Sequence, residues 1–325
     1  MRSFVRVLPS VAVVLAACPV AAQDANYPTK PIRVIVPFTP GSATDLLGRM
    51  YGAKLAEAWG QQVVIDNRSG AGSTIGTAIV AAATPDGHTL LLNSSAFAGS
   101  ASIYPKLPYD PYKDFAPISL IAANPLLLVV APSLGVKSVK DLVAMAKSQP
   151  GKLTFASSGI GSGTHYGGEL FAQTAGIKVV HVPYKGTPET ITDTVSGRIH
   201  YAVPPILAAL PLVREGRLIA LGVTAPERSA LLPDVPTVSE SGLEGYQSTG
   251  WRGIMGPAGI PGPIASRLAQ EVKTVVSSDD VKTHFLNNAM EIDYRDPQAF
   301  AVFIAEEIKR WSGVVRKANI TLQPQ

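Results

Sequence analysis

Three times along this chain, a short apolar run leads into a turn rich in glycine, and a helical pattern follows. These turns, called here the first, second and third turn, cover residues 37–45, 68–76 and 158–166. Apolar strands that alternate with helices are typical of α/β domains, in which helices flank mainly parallel sheets. The pattern therefore predicts an α/β fold and makes the turns the places where a ligand can approach the backbone.

The first turn predicts an anion site. The first backbone N–H groups of a helix have no partner within the helix, and the aligned peptide dipoles place a partial positive charge there. A carboxylate or a phosphate fits such a site without a basic side chain. The glycines of the second turn have the spacing G-x-G-x-x-x-G, which departs from the dinucleotide fingerprint G-x-G-x-x-G. Helix packing alone and a shared anion site both remain open for these glycines.

The third turn raises the question of a nucleophile, because Ser162 lies between two glycines and His165 follows closely. A nucleophile elbow requires the pattern G-x-S-x-G, which residues 161–163 do not provide. Ligand binding, with Ser158, Ser162 and Thr164 as hydrogen-bond donors to a carboxylate, fits the turn better than hydrolysis.

Periodicity along the rest of the chain predicts further strands and helices. The predicted strands lie near residues 31–37, 63–66, 88–93, 126–131, 153–157, 179–182, 199–203 and 218–223. A helix is predicted at residues 139–147 with Ser138 as its N-cap, and two long helices at 264–277 and 297–318 are expected to pack back on the first sheet. About 300 mature residues suffice for two domains of ordinary size.

The start of the chain has the pattern of a secretory signal peptide at residues 1–22. A basic segment is followed by an apolar core at residues 7–17 and by a small-residue cleavage site that ends at Ala22. The apolar core is far shorter than the roughly 20 residues of a membrane span. A lipobox-like stretch ends at Cys18, which would be acylated in a lipoprotein. Cleavage after Ala22 and lipidation at Cys18 are alternatives, and both predict export to the periplasm.

Composition argues against several classes of function. The formal net charge of +4 falls to +2 if the leader takes Arg2 and Arg6 with it, and only 16% of the residues are charged. Without a run of Lys and Arg, nucleic acid is not an expected partner. Cys18 is the one cysteine of the sequence, so the mature chain is expected to fold without disulfides.

Patterns for catalysis and metal binding are also missing from the sequence. The five histidines have neither the H-E-x-x-H pattern nor a paired metal spacing. The acidic residues that could act as acid or base fall in turns and at helix starts, where capping explains them. We therefore expect no metal, no cofactor and no catalytic residue.

Several motifs are spread over nearly the whole mature chain, at residues 27–41, 64–72, 83–90, 107–118, 182–186, 232–238 and 251–261. Together they resemble the Bug family, also called the TctC family, which comprises the extracytoplasmic solute receptors of tripartite tricarboxylate transporters. The resemblance implies a periplasmic binding protein whose two domains close on the ligand like a flytrap. Domain 1 would combine residues 24–125 with 246–325, and domain 2 would be residues 126–245.

The resemblance also implies a binding site. In the family, a ligand carboxylate is held by the first two glycine loops of domain 1, partly through ordered waters, and domain 2 contacts the rest of the ligand. Carried onto this sequence, the implied ligand-binding residues are Phe38, Thr39, Gly41, Ser42, Ala71, Gly72, Ser73, Ser94, Ser95, Ala96, Ser158, Gly163, Thr164, His165, Tyr184 and Lys185.

Three departures from the family pattern bear on the ligand. Ser42 replaces the second glycine of a usual pair, and it either donates a hydrogen bond or narrows the turn. Pro204 stands where many members have an aspartate that can pair with the ammonium group of an amino acid, and His200, expected to face solvent, stands where an aspartate is frequent. We therefore count Pro204 as a site residue that restricts the ligand to a carboxylate without an α-amino group. The expected apolar walls are Phe38, Phe97 and Tyr184.

The implied partners are a small carboxylate and the membrane permease subunits of a tripartite transporter, and the chain is expected to act as a monomer. A signalling receptor that presents its closed form to a sensor kinase is an alternative. An exported hydrolase is a weaker alternative, because no catalytic constellation is found.

Overall fold

Two β-sheets covered by helices make up the protein in its computed structural model, which describes residues 27–184, 186–287, 290–318 and 320. In chain order, the elements are β1 (Ile32–Val36), α1 (Ala43–Trp59), β2 (Val63–Asn67), α2 (Thr74–Ala81), β3 (Thr89–Ser94), α3 (Ala96–Ile103), β4 (Phe115–Pro125), β5 (Leu127–Val130), α4 (Val139–Ser148), β6 (Thr154–Ser157), α5 (Gly163–Ala175), β7 (Val180–Pro183), α6 (Thr187–Val195), β8 (Tyr201–Ala202), α7 (Ile206–Arg214), β9 (Ile219–Val223), β10 (Thr249–Pro257), α8 (Gly262–Ser277), α9 (Asp279–Asn287), β11 (Glu291–Arg295) and α10 (Pro297–Lys317). The first sheet has the order β11-β4-β10-β3-β1-β2, and the second has the order β7-β6-β8-β5-β9. Below, domain 1 means the first sheet with the helices that cover it, and domain 2 means the second sheet with its helices.

The predicted two-domain α/β class is confirmed, but both sheets are mixed. β1 pairs in parallel with β2 and β3, as β6 does with β7 and β8. β10 runs antiparallel to β3 and β4, β11 antiparallel to β4, and β5 antiparallel to β8 and β9. The chain leaves the first sheet along β4 and returns to it along β10. Because the two strands are neighbours and the chain runs through them in opposite directions, they are antiparallel. β5 and β9 are antiparallel for the same reason, so antiparallel pairs are more frequent than expected.

Each predicted strand is present, with ends that differ by at most two residues from the predicted ones. The strands β4, β10 and β11 were not predicted. β10 contains glycines at positions 250, 253 and 256, which weaken the strand pattern. The structure shows why one of them is needed. A side chain at Gly253 would collide with the ring of Phe300 on α10, which packs directly on the strand.

The predicted helices are present as well. Ser138 caps α4, since its Oγ accepts a hydrogen bond from the backbone N of Asp141 at 3.1 Å. The two long C-terminal helices are α8 and α10, with the unpredicted α9 between α8 and β11. Leu268 of α8 lies in the same apolar core as Ile32 of β1. As expected, α8 therefore packs back on the first sheet.

Helix α5 joins the two domains. The ring of Tyr166 on α5 stacks on Trp311 of α10, with 4.2 Å between the ring centroids. A side chain at Gly99 of α3 would collide with the backbone oxygen of Gly161 in the third turn. Glycine at position 99 thus permits the third turn to lie directly against domain 1.

None of the described helices combines the length and the apolar character that crossing a membrane requires. The predicted leader, including Cys18, and the predicted site residue Lys185 lie outside the described residues.

Candidate functional site

A cavity of about 850 Å³ lies between the two domains. Domain 1 contributes the ends of β1 and β2 and one face of α3, and domain 2 contributes the third turn and the end of β7. None of the described residues that line the cavity has a charged side chain. The predicted site residues that line it are Phe38, Thr39, Ser42, Ala71, Gly72, Ser73, Ala96, Ser158 and Tyr184.

The other described residues of the predicted site do not line the cavity, namely Gly41, Ser94, Ser95, Gly163, Thr164, His165 and Pro204. The backbone oxygen of Pro204 accepts a hydrogen bond from the N–H of Leu127 at 2.9 Å, so this proline belongs to the junction of β5 and β8. His200 does not simply face solvent, because its Nδ1 accepts a hydrogen bond from the N–H of Thr154 at 3.1 Å. The expectation that His200 faces solvent is corrected by this contact, whereas the effect of Pro204 on the choice of ligand stays a prediction.

The first turn is closed by the protein's own carboxylate. Asp45 is 1% exposed, and its Oδ2 accepts hydrogen bonds from the N–H of Gly41 at 2.8 Å and from Nε of Arg49 at 3.0 Å. Asn67 donates to Oδ1 at 3.0 Å, and the Oγ of Ser42 accepts from the N–H of Asp45 at 3.2 Å. Burial opposes the charge, but these hydrogen bonds hold the pKa of Asp45 below its usual value. The anion predicted at this helix start is therefore Asp45, and the expected role of the Gly41 N–H in holding a ligand is corrected.

The second turn has a different backbone. Ala71, Gly72 and Ser73 follow one another with φ angles of 45°, 62° and 81°, all in the left-handed region. This region is costly for residues other than glycine, and such costs are typical of functional sites. The turn ends directly at α2, so the backbone changes from left-handed to right-handed conformation where the helix begins.

Side-chain hydroxyls hold the carbonyl groups of residues 71–73. The oxygen of residue 71 accepts from Oγ1 of Thr74 at 2.9 Å, and that of residue 73 accepts from Oγ1 of Thr77 at 2.8 Å. The oxygen of residue 72 accepts from Oγ of Ser100 on α3. With its carbonyl groups tied to α2 and α3, the turn keeps its left-handed form beside the cavity.

The start of α2 carries no side-chain cap, in contrast to the helices that follow the first and third turns. Ser42 caps α1, and Ser162 caps α5 through the N–H of His165 at 3.2 Å. Ser73 occupies the N-cap position of α2 but makes no such bond. Its side chain is 2% exposed and its Oγ has no hydrogen-bond partner among the described residues. A buried hydroxyl without a partner at an uncapped helix start beside a cavity is suited to an anion that enters from outside.

Hydroxyl groups of the third turn bond mainly to one another. The Oγ1 of Thr164 accepts from the N–H of Ser158 at 2.8 Å and lies 2.9 Å from the Oγ atoms of both Ser158 and Ser162. The Oγ of Ser162 also donates to the backbone oxygen of Gly159 at 2.7 Å. These groups shape the wall of domain 2, and Thr164, expected as a ligand donor, lies behind that wall.

Three groups that could ligate a metal come together beneath the third turn, namely His165, Glu169 and His181. The two imidazole rings stack with centroids 3.9 Å apart and planes 16° apart, so their lone pairs do not converge on one point. Nδ1 of His165 accepts a hydrogen bond from the N–H of Gly161 at 3.2 Å. A neutral imidazole that accepts at Nδ1 carries its proton on Nε2, which leaves His165 without a lone pair for a metal.

The apolar walls differ partly from the expected ones. Phe97 is fully buried and packs on Tyr109 and Phe115 in the core of domain 1, away from the cavity. Phe38 and Tyr184 line the cavity as expected, and the hydroxyl of Tyr184 donates to Asp193 at 2.7 Å. Lining residues that the sequence did not indicate are Ile103, Tyr104, Ile160 and Pro183.

A local pattern in the sequence could have identified the closure of the first turn. Ser42 and Asp45 form the pattern S-x-x-D of a capping box, in which an acid three residues after the N-cap bonds back to the preceding backbone. At the second turn, Gly76 stands three residues after Ser73, so no acid is available there. No local pattern indicates the proximity of His165 and His181, which are on different elements.

Comparison with known proteins agrees with the fold. The protein-family model described as the tripartite tricarboxylate transporter family receptor matches residues 47–320 of this chain. BugT of Bordetella pertussis is 36% identical over 309 residues, which cover 94% of each chain. An R. palustris protein solved with adipate is 35% identical, with a TM-score of 0.79 over 91% of this chain and 99% of that one. MatC of Rhodopseudomonas palustris, solved with bound malate, is 33% identical, with a TM-score of 0.76 over 89% of this chain and 100% of that one.

A cavity between two α/β domains and these structural neighbours together define the class of the periplasmic solute-binding proteins. Within that class, the chain belongs to the receptor family of the tripartite tricarboxylate transporters, the Bug or TctC family. Members of this family are periplasmic receptors that bind solutes, and the resemblance noted in the sequence is confirmed.

Proposed function

We propose that this chain binds a small carboxylate in the cavity between its domains and delivers it to the membrane subunits of a tripartite tricarboxylate transporter. One observation carries this proposal, the buried hydroxyl of Ser73, which has no partner among the described residues and lies at the uncapped start of α2. A ligand carboxylate would accept a hydrogen bond from this hydroxyl and would lie at the positive end of the α2 dipole. The N–H of Thr74, the first of α2, is already bonded to the backbone oxygen of Ala71. Ala71 and Gly72 would allow the carboxylate to come close to the backbone.

The ligand is proposed to lack an α-amino group. No carboxylate is among the described residues that line the cavity and could pair with an ammonium group. Asp193, behind Tyr184, is already bonded to the hydroxyl of Tyr184 and to Arg198 at 3.2 Å. Adipate and malate, with which two similar proteins were solved, are both carboxylates without an amino group. Phe38, Tyr184 and the apolar residues beside them would contact the body of the ligand.

Closure of the two domains would complete the site. Domain 1 is proposed to comprise residues 24–125 and 246–325, and domain 2 residues 126–245, with the crossings after β4 and before β10 as hinges. The ligand then stabilises the closed form by as much as its affinity for that form exceeds its affinity for the open one. No bond is made or broken in this cycle. Export through the leader at residues 1–22, or lipidation at Cys18, would place the monomeric receptor in the periplasm.

A thermal-shift screen tests the ligand class. Purified mature protein is tested with adipate, malate and benzoate, and with glutamate and aspartate as amino-acid controls. A ligand at 100 times its dissociation constant should add about 2.7 kcal/mol to the free energy of unfolding. Stronger saturable binding of glutamate or aspartate than of every other acid would refute the proposed ligand class. No shift with any carboxylate, together with hydrolysis of a model ester, would refute the binding function.

Deletion strains test the transport role. Loss of this gene or of the permease genes should abolish uptake of the bound carboxylate to the same extent. Normal uptake, with loss only of a transcriptional response to the ligand, would instead favour the signalling alternative.

A further inference from the structure

Two histidines from different elements stack beneath the third turn. His165 on α5 and His181 on β7 lie ring on ring, with centroids 3.9 Å apart, and His165 is 2% exposed. The ring of Phe155 on β6 stacks on His181, with 4.7 Å between the ring centroids. Such a pair is held in place by its neighbours and has little room to move.

Both rings are connected to the backbone of the third turn. Nδ1 of His165 accepts a hydrogen bond from the N–H of Gly161 at 3.2 Å. Nε2 of His181 lies 2.6 Å from Oγ of Ser157, and the same Oγ accepts from the N–H of Gly159 at 3.2 Å. One ring therefore supports the turn directly, and the other supports it through a buried serine.

The supported peptide groups belong to the cavity, whereas the rings do not. Gly159, Ile160 and Gly161 line the cavity, and neither histidine does. The φ angles of the two glycines are 119° and 81°, in a region that only glycine visits readily. Because glycine has so much conformational freedom, the position of this wall depends on the hydrogen bonds that hold it.

We propose that His165 and His181 are positioning residues for ligand binding and that they hold the peptide groups of Gly159 and Gly161 against the cavity. This inference rests on the proposed function, namely that the cavity binds a carboxylate. Neither ring is proposed to touch the ligand.

Three variants and a control test the positioning role. His165→Ala removes the acceptor for Gly161, and His165→Asn can keep an acceptor oxygen near the place of Nδ1. His181→Phe keeps the ring stack and loses the contact with Ser157. The matched control is His200→Asn, which alters another bonded histidine of domain 2. Adipate is the probe, titrated calorimetrically at pH 7.5, and hydrogen exchange reports on the amide of Gly161.

At pH 7.5, His165→Ala should bind adipate about tenfold more weakly than the wild type and exchange the Gly161 amide faster. His181→Phe should show a smaller loss of affinity. His165→Asn should bind adipate nearly as tightly as the wild type, because its amide oxygen can replace Nδ1 as the acceptor for Gly161. His200→Asn should behave as wild type.

Wild-type affinity and wild-type Gly161 exchange in His165→Ala would overturn the inference. So would a His165→Asn variant that binds adipate as weakly as His165→Ala while its Gly161 amide exchanges as slowly as in the wild type. If His165→Ala does not fold, the Asn and Phe variants decide. Failure of the wild-type protein to bind any carboxylate would refute the proposed function alone, because the exchange of the Gly161 amide still decides whether His165 positions the turn.

Discussion

The first and second turns have the same sequence character, yet they treat an anion in opposite ways. Each follows a strand of the first sheet, contains glycine and serine, and leads into a helix. In the first turn, Asp45 occupies the helix start and Ser42 caps it. In the second, Ser73 stands at the same place without a hydrogen-bond partner among the described residues. The difference indicates that a helix start attracts a ligand only where the protein has not already filled it.

The comparison also separates stability from binding. Buried donors satisfied by the protein's own carboxylate stabilise the fold, whereas a buried hydroxyl left without a partner lowers stability unless a ligand satisfies it. We therefore expect changes in the first turn to affect mainly unfolding and changes in the second to affect mainly ligand affinity.

The largest effect is expected for Asp45→Ala, which empties the first turn. The variant leaves the N–H of Gly41 and the side chains of Arg49 and Asn67 without their acceptor. The free energy of unfolding, measured in urea, should fall by about 2–4 kcal/mol. Formate, which is small enough to replace the lost carboxylate, should restore part of the stability of the variant and leave the wild type unchanged. Wild-type stability in the variant would contradict the contrast between the turns.

The second largest effect is expected for Ser73→Ala, with Ser42→Ala as its matched control. Ser73→Ala should raise the dissociation constant for the carboxylate about tenfold, since it removes a hydrogen bond to a charged group. Its free energy of unfolding without ligand should equal or exceed that of the wild type, because the variant removes a buried hydroxyl that has no hydrogen-bond partner among the described residues. Calorimetry and urea unfolding measure the two quantities.

Ser42→Ala should show the opposite behaviour. Loss of the cap should lower the free energy of unfolding by about 1 kcal/mol, and the ligand affinity should stay near that of wild type. Equal losses of affinity in the two variants would mean that both turns hold the ligand.

A smaller effect is expected for alanine in place of glycine. Gly41 and Gly72 have φ angles of 80° and 62°, so alanine should cost about 1 kcal/mol of stability at either position. A methyl group at Gly72 would fit in ordinary van der Waals contact with Ser100 and Tyr104, at 3.4 and 3.5 Å, but Gly72 lines the cavity and Gly41 does not. Because the methyl group takes up space beside the ligand, Gly72→Ala should weaken binding by about threefold as well, a change of less than 1 kcal/mol, and Gly41→Ala should not. Unchanged affinity in Gly72→Ala would show that the second turn tolerates displacement.

The smallest expected effect is that of acid pH on the difference in free energy of unfolding between the wild type and Asp45→Ala. Despite its burial, the hydrogen bonds from Arg49, Gly41 and Asn67 hold the pKa of Asp45 below its usual value of 3.8. The stability that Asp45 supplies is therefore fully present above pH 3.8 and is lost as the pH falls through the lower pKa of the folded state. In urea unfolding, the difference between wild type and Asp45→Ala should be constant from pH 7 to 5 and should shrink only below about pH 4. Titration of His181 affects both proteins and cancels, so a difference that shrinks already near pH 6 would contradict this assignment.

Much of the fold follows from local patterns. The strands β1 to β3 and β5 to β9, the cap at Ser138 and the long helices α8 and α10 agree with the expected positions. β4 and β10 escaped prediction because they connect the domains and their character is set by what packs on them. Gly253, for example, is required by the ring of Phe300, a residue that lies far away in the sequence.

The candidate site was predictable only in outline. The family resemblance implied that the glycine-rich turns of both domains face one ligand, and Phe38, Ser73 and Tyr184 do line one cavity. Phe97 was misplaced, because an apolar residue in a sequence fits a core and a pocket wall equally well. Its true neighbours are the rings of Tyr109 and Phe115.

By itself, the sequence determined the α/β class, the family and the existence of three helix starts that follow glycine-rich turns. The pattern S-x-x-D also indicates that a carboxylate closes the first turn, because a capping carboxylate bonds to backbone N–H groups no more than four residues away. Only the tertiary structure decided which start is left open beside a cavity and that His165 and His181 support its opposite wall. Those properties depend on contacts between α2, α3, α5 and β7, which no local pattern of residues can specify.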